Sequence, residues 1–548
     1  MANPAPSPSW NLRRRVDWSL ALAVTAAAIL LHWLFLNHAG GLWRDEAGIV
    51  RLATLPGFGE IWTYLGHESC PLFFPTALRF WSALGPGGTD FGLRLFGFLA
   101  GLLLLGAVWF NGWALTRSVP LISLGLLATN LTIVHWGDSL RAYGTGSVLM
   151  LLAMALLWRF VDRPGLLRWL LALLAAVASV QCLFQNAFLL LALCLAGGAV
   201  CLRRKDPRNL AAVLAIGLLA ALSLIPYLRI IQEAKAWSVL SQAGFMPVLV
   251  WHKFSEALAP ALPWTKWLWL GLGLLAVFRW AKILGPARAA GEPPETPVVF
   301  YAATALIAGV IAYLVYLRWV GFPTEVWYYL PLITFLAVCL DAAAAGWRPQ
   351  FHPGRWLFLC LIAALPFAKT CRSVSCRQTN MDLIAAALAG QAGPDDLILL
   401  HPWYYGISFE RYYHGKTPWT TLPDLADHRF HRYDLFKQKM ETAHPVQPVL
   451  DKMAATLQLG HRVWLVGWLT FTKRSPPDLG LPPDPFTGWQ DEPYSQAWGT
   501  GAGYLLATHV DRSDRIPAPC PDRVSDFENL PLRTFSGWRE PAPAKPAP

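Results

Sequence analysis

The feature that most constrains this chain is a succession of apolar runs, each about long enough to cross the roughly 30 Å hydrocarbon core of a bilayer. They fall at 16–36, 91–115, 119–137, 142–160, 166–181, 184–202, 209–231, 264–284, 298–318, 327–345 and 355–369, about eleven in all. In lipid every backbone polar group has to be satisfied inside the segment, so spans of this length are helices. Composition agrees: 55% of residues are hydrophobic and 14% charged, against about 25% charged in ordinary soluble domains. The stretch 166–202 is too long for one helix and carries Gln181, Gln185 and Asn186. It reads as two helices joined by a turn at the surface, because amides in mid-membrane are costly.

The net charge of +11 excludes little by itself. The basic residues are scattered between apolar runs instead of gathered on one face, which speaks against a nucleic-acid partner and for topology signals. A tail at 1–15, rich in Pro and Ser, ends in Arg13, Arg14 and Arg15, ahead of the first run. A secretory signal has the same start, but this run is long for one and offers no small-residue cleavage site around Leu31–Leu34. Arg117, Arg159, Arg163, Arg168, Arg203–Lys205, Arg208, Arg279, Lys282, Arg288, Arg348 and Arg355 then fall on the side of the N-terminus. The positive-inside rule makes that side cytoplasmic. An odd number of spans puts a large first loop (38–90) and everything after the last span outside. The expected location is a bacterial inner membrane.

From about Thr370 charged residues and prolines rise and no further membrane-length run occurs. Asp395–Leu400 and His461–Val466 read as short buried strands, Met381–Gly390 and Tyr405–Tyr413 as helices. The expected architecture is an all-α polytopic membrane domain (16–370) plus an extracytoplasmic α/β domain (371–538), with a disordered Pro/Ala tail at 539–548. The nine cysteines show no CxxC-type metal spacing. Cys371 and Cys376 fall outside, as a disulfide or as two free thiols.

Charged residues on the external face are the candidate site. Asp45 and Glu46 follow the first span by a few residues, beside Arg44; their plainest explanation is a solvated loop start. His67 and Glu68, later in the same loop, are a candidate acid/base, acceptor or metal pair, or ordinary surface residues. Asp45, Glu46, His67 and Glu68 together could hold a divalent ion yet lack diagnostic spacing. Arg141 and Tyr143 lie in the turn between the third and fourth spans. A guanidinium there suits a phosphate headgroup through paired donors and permanent charge, or anchors a helix at the interface. Arg94, just inside the second span, either snorkels to headgroups or lines a cavity.

These segments, taken in order, resemble the C-type (GT-C) superfamily of polytopic membrane glycosyltransferases, and within it bacterial proteins similar to protein O-mannosyltransferases and aminoarabinose transferases. The likeness lies in Trp43-Arg44-Asp45-Glu46-Ala47, His67 through Pro71-Leu72-Phe73-Phe74, Leu93-Arg94-Leu95-Phe96 and Ser139-Leu140-Arg141-Ala142-Tyr143. It covers roughly 16–370 and is strongest over the first 160 residues. The resemblance implies a donor sugar on a polyprenyl phosphate and an acceptor hydroxyl on the external side. It implies inversion with Asp45, supported by Glu46, as base, and the donor phosphate met by Arg141, Tyr143 and Arg94. The chain departs from the family pattern at Glu68-Ser69-Cys70-Pro71, where two prolines often follow the His. It departs again at Val326-Trp327-Tyr328-Tyr329, where an Arg-Tyr pair is common. Tyr328 keeps half of the late motif as a carrier contact, and Arg318 is the candidate substitute for the missing Arg. These departures leave sugar and acceptor open. A transporter or flippase of lipid-linked sugars, expected to show internal repeats or broken helices with mid-membrane polar groups, is the alternative. A receptor or scaffold is a third.

Overall fold

The computed structural model describes residues 8–241, 245–284, 293–345, 352–475, 479–517, 520 and 522–540. Positions 1–7 and 541–548, at the two expected tails, and the basic residues Arg288 and Arg348 lie outside the described residues. The chain divides into two compact units, one of 1–38, 69–228 and 243–375, the other of 39–68, 229–242 and 376–548.

The first unit is helical. Among the described residues eight helices are long and apolar enough to cross a membrane: Leu12–His38, Asp90–Thr116, Ala142–Asp162, Asn186–Arg203, Pro263–Leu284, Thr296–Val320, Val326–Ala343 and Pro353–Val374. The bent pair Pro207–Leu222 and Tyr227–Ser241 makes a ninth if counted as one span. Pro226 sits at that break and cannot continue a helix without losing a backbone hydrogen bond. Arg13–Arg15, expected in a tail, belong to the helix Pro8–His38.

The difference from eleven has local causes. The run 119–137 forms two short helices, Leu121–Leu127 and Leu131–Gly137. The Asn130 side chain caps the second by accepting from Thr132 N–H at 2.8 Å, as a short amide does at a helix start, and donates to the Ala257 and Leu258 carbonyls. Leu166–Cys182 is apolar but shorter than the rest. The expected turn between it and Asn186–Arg203 is present, but buried in protein instead of lying at a surface: Gln185 and Asn186 are 2% and 0% exposed. Gln185 donates to the Tyr328 carbonyl at 3.0 Å and Asn186 to the Gly146 carbonyl at 2.9 Å. Protein acceptors thus replace water.

The second unit is α/β. Its strands are β1 (Leu397–His401), β2 (Trp419–Thr421), β3 (Val463–Gly467), β4 (Arg512–Ile516) and β5 (Leu532–Ser536), in the order β2-β1-β3-β5-β4. β1 is parallel to β2 and β3, while β5 is antiparallel to β3 and β4. β1 and β3 are buried along their whole length because both faces are covered, which explains their unbroken apolar character. Ile398, Leu400, Trp464 and Val466 face one core with Met381, Ile384 and Leu388 of the helix Met381–Gln391. Leu397, Leu399, Val463 and Leu465 face the other with Val449, Met453 and Leu506. The order reverses between β1 and β3, so the carboxyl ends of these strands form the crevice in which α/β sheets usually bind what they act on.

Candidate functional site

In the second unit the segments that follow the carboxyl ends of β1 and β2 meet the opening loop. Gly40 takes a φ of +64°, and a β-carbon there would lie 2.6 Å from the Arg377 guanidinium, a position that favours glycine. Ala39 accepts from Gln378 N–H at 2.8 Å, and Leu42 N–H donates to the Tyr412 hydroxyl at 2.6 Å. These contacts seat the start of the helix Arg44–Ala53. The Arg44 N–H donates to Glu528 Oε2 at 3.0 Å, giving a helix N-terminus the carboxylate it favours. The Arg44 guanidinium stacks over the Tyr404 ring at 4.2 Å, just after β1.

Asp45 is fixed by that arrangement. Its Oδ1 accepts from Arg44 Nε at 3.2 Å and lies 3.4 Å from His431 Nε2, and its side chain keeps 13% exposure. Glu46, by contrast, is 1% exposed. Glu528, fully buried, also accepts from Thr379 and Ser408 hydroxyls at 2.8 and 3.0 Å. Burial pushes its pKa up to about 7, against the pull of the Arg44 N–H and charge and the two hydroxyls.

His67 stacks on Trp237 at 5.1 Å and faces Phe430, with Nδ1 4.0 Å from Asp434. Burial lowers its pKa, with Asp434 opposing. The Glu68 Oε1 lies 3.3 Å from where a Gly48 β-carbon would stand, one turn along the helix from Asp45. Among the described residues no three His, Cys, Asp or Glu side chains converge as a metal site.

In the first unit Arg141 is the residue before the helix Ala142–Asp162 and donates to Ser69 Oγ at 3.3 Å. Its turn is held from below by a buried pair: His32 Nδ1 lies 2.7 and 2.8 Å from the two Asp138 carboxylate oxygens, both side chains 1% exposed. Gly97 and Gly101 make room for it, since β-carbons there would lie 1.9 Å from the Asp138 carbonyl and 2.0 Å from its Oδ1. Tyr143 packs edge-on to Tyr328 at 5.9 Å, beside the Gln185 amide on the Tyr328 carbonyl. Arg94 is 3% exposed on the helix Asp90–Asn111. Arg318 is exposed in the last turn of Thr296–Val320. Cys371 and Cys376 are each half-buried and are not joined as a disulfide.

Sequence reasoning missed His431, Glu528 and the His32–Asp138 pair. An ionisable side chain inside the first span was a usable signal for His32; nothing local marks His431 or Glu528.

The chain matches no protein-family model and no curated protein sequence. Three of the solved structures to which it is similar are the following. ArnT from Cupriavidus metallidurans, bound to undecaprenyl phosphate, is 12% identical over 81% of this chain and 92% of that one, with a TM-score of 0.45. The arabinosyltransferase EmbB from Mycobacterium smegmatis is 13% identical over 92% of this chain and 38% of that one, with a TM-score of 0.36. The oligosaccharyltransferase AglB from Archaeoglobus fulgidus, in complex with an inhibitory peptide and a dolichol-phosphate, is 11% identical over 81% and 69%, with a TM-score of 0.47. At these values the likenesses carry no argument about what this chain does. Two of the three are glycosyltransferases by their own descriptions.

Proposed function

We propose that this chain is an inner-membrane glycosyltransferase that moves a sugar from a polyprenyl phosphate to an acceptor hydroxyl on the extracytoplasmic side, with Asp45 as general base. The N-terminus is cytoplasmic, and the first loop and the C-terminal domain are extracytoplasmic. The observation that carries the proposal is Asp45 itself: a partly exposed carboxylate held at a helix start by Arg44 and His431, next to a fully buried Glu46.

The acceptor O–H gives its proton to Asp45 as its oxygen attacks the anomeric carbon, and the bond to the phosphate breaks with inversion. The leaving group departs as a phosphate anion, so no second carboxylic acid is needed, unlike glycoside hydrolysis. Arg141, with Arg94 and Tyr143, serves the donor phosphate. Tyr328 and Arg318 are lesser candidates for contact with the carrier, and Glu46 supports Asp45. His67 and Glu68 belong to the acceptor side. The lipid-borne donor comes from the bilayer; the acceptor is a protein, lipid or glycan.

Membranes holding Asp45→Asn at normal abundance are expected to lose transfer by at least a hundred-fold, the lower end of what a positioned base contributes. Sugar transfer at the wild-type rate from that variant would end the assignment. The alternative, a flippase of lipid-linked sugars, draws support from the helix breaks at 128–130 and 183–185 with buried Asn130, Gln185 and Asn186. The same variant separates the two, since a flippase has no use for a base and would still move lipid-linked sugar across proteoliposomes.

A further inference from the structure

Arg44 and His431 both approach Asp45 Oδ1, but they are not equivalent. Arg44 is the adjacent residue on the same helix, so its grip on the carboxylate is local, with its guanidinium resting on the Tyr404 ring. His431 comes from the chain after β2 and is anchored independently. Asp427 accepts from Arg429 at 3.0 and 3.1 Å and also pairs with Arg432, which reaches on to Asp434 at 2.9 and 2.7 Å. Arg429 extends the web to the Tyr64 hydroxyl at 3.1 Å. Phe430, next to His431, stacks on Tyr64 at 5.0 Å, and the His431 ring lies nearly parallel to Tyr433 at 6.3 Å. Such a web of charge-assisted bonds leaves the 427–434 segment little freedom, and its imidazole nitrogen is the fixed point against which Asp45 is set.

We infer that His431 is a positioning residue for Asp45: its Nε2, 3.4 Å from Oδ1, holds the carboxylate in one orientation, so the base is assembled jointly by the opening loop and the C-terminal domain. The inference rests on Asp45 being the base. In the reaction His431 neither gains nor loses a proton. The acceptor O–H bond breaks toward Asp45, the oxygen bonds to the anomeric carbon, and the electron pair of the old bond leaves on the phosphate. Orientation of a reacting group is worth large factors in rate, and it acts on turnover without touching the donor.

The test uses full-length protein in proteoliposomes with undecaprenyl-phosphate-linked hexoses and pentoses labelled in the sugar. His431→Leu, which keeps bulk but no polar nitrogen, is expected to lower kcat about ten- to a hundred-fold, the size of the loss when a reacting group is misplaced, with donor KM unchanged. His431→Gln, which keeps an N–H donor, restores most of it. The double variant Asp45→Asn/His431→Leu is no slower than Asp45→Asn, because residues that act through one another are not additive. A merely structural His431 predicts equal losses for Leu and Gln, and multiplied losses in the double variant; either result overturns the inference. If Asp45→Asn retains full activity, the base assignment itself fails. If it is inactive while His431→Leu turns over normally, only the role of His431 fails.

Discussion

Glu528 offers a quantitative handle on how the opening loop is held. It is fully buried, it accepts from the Arg44 N–H and from two hydroxyls, and its pKa is pushed up to about 7. A carboxyl whose folded pKa lies above its ordinary value of 4.5 binds more protons folded than unfolded between those two values. Stability therefore falls as pH rises through that window and levels off above about 7. The full effect is the distance from 4.5 to about 7 at 1.36 kcal/mol per pH unit, or about 3 kcal/mol. For a unit of roughly this size that is about 6–12 °C in melting temperature. Replacing Glu528 with Gln keeps the volume and removes the ionisation. The assay is tryptophan-fluorescence melting of wild type and Glu528→Gln in detergent between pH 4.5 and 8. The wild type is expected to lose stability relative to the variant across the window, so the two curves converge as pH rises or cross. Parallel curves would show that Glu528 does not titrate in this range, and a wild type that gains on the variant would reverse the sign.

Arg141→Ala is expected to raise the donor KM about ten-fold or more while leaving the melting temperature near wild type, and Arg141→Lys to recover part of it, since a point charge lacks the paired donors of a guanidinium. Kinetics with the same lipid-linked sugars check both, and an unchanged donor KM in the Ala variant counts against phosphate binding. Gly101→Ala would push a β-carbon to 2.0 Å from Asp138 Oδ1 and 2.6 Å from His32 Nδ1. Overpacking of that kind costs about 1–3 kcal/mol or more, read as a drop in melting temperature; an unshifted melt refutes the packing described. Asp396 accepts from the Gly393 and Arg462 N–H groups at 2.8 Å and from Trp464 Nε1 at 2.9 Å. Burial pushes its pKa up, but these bonds together bring it below the usual 3.8. Its contribution is therefore complete above that value and lost as pH falls below it, and Asp396→Ala should cost about 2–4 kcal/mol by orphaning buried donors, measured by the same melt.

The membrane character and the α/β nature of the C-terminal part were legible because each rests on a local pattern. Long apolar runs need no partner to be recognised, and β1 and β3 are short unbroken hydrophobic stretches because both faces of the sheet are covered. The helix breaks were only half legible. Gln185 and Asn186 marked one of them, but a capping Asn130 inside 119–137 is a single residue in an otherwise apolar average. Among the candidate site residues, Asp45 and Arg141 were readable as parts of ordered motifs. His431 and Glu528 were not, since what gives them meaning is who they touch. A histidine between Phe430 and Arg432 looks like any loop histidine until the fold carries it to Asp45.

The unit that holds Asp45 is assembled from three separate stretches, 39–68, 229–242 and 376–548, which sets an order of events during synthesis. The helix of Asp45 is made early, yet its first N–H group finds its acceptor on Glu528, 484 positions later. The ribosome must finish almost the whole sequence before that helix start can be seated. Throughout that interval the opening loop lacks its capping carboxylate. A prematurely terminated product can insert its helices normally and still leave Asp45 without its organised surroundings. A C-terminal piece expressed alone would be short of the two earlier stretches that complete its fold. Quality control of such a protein would have to sense the last part of the chain to be made.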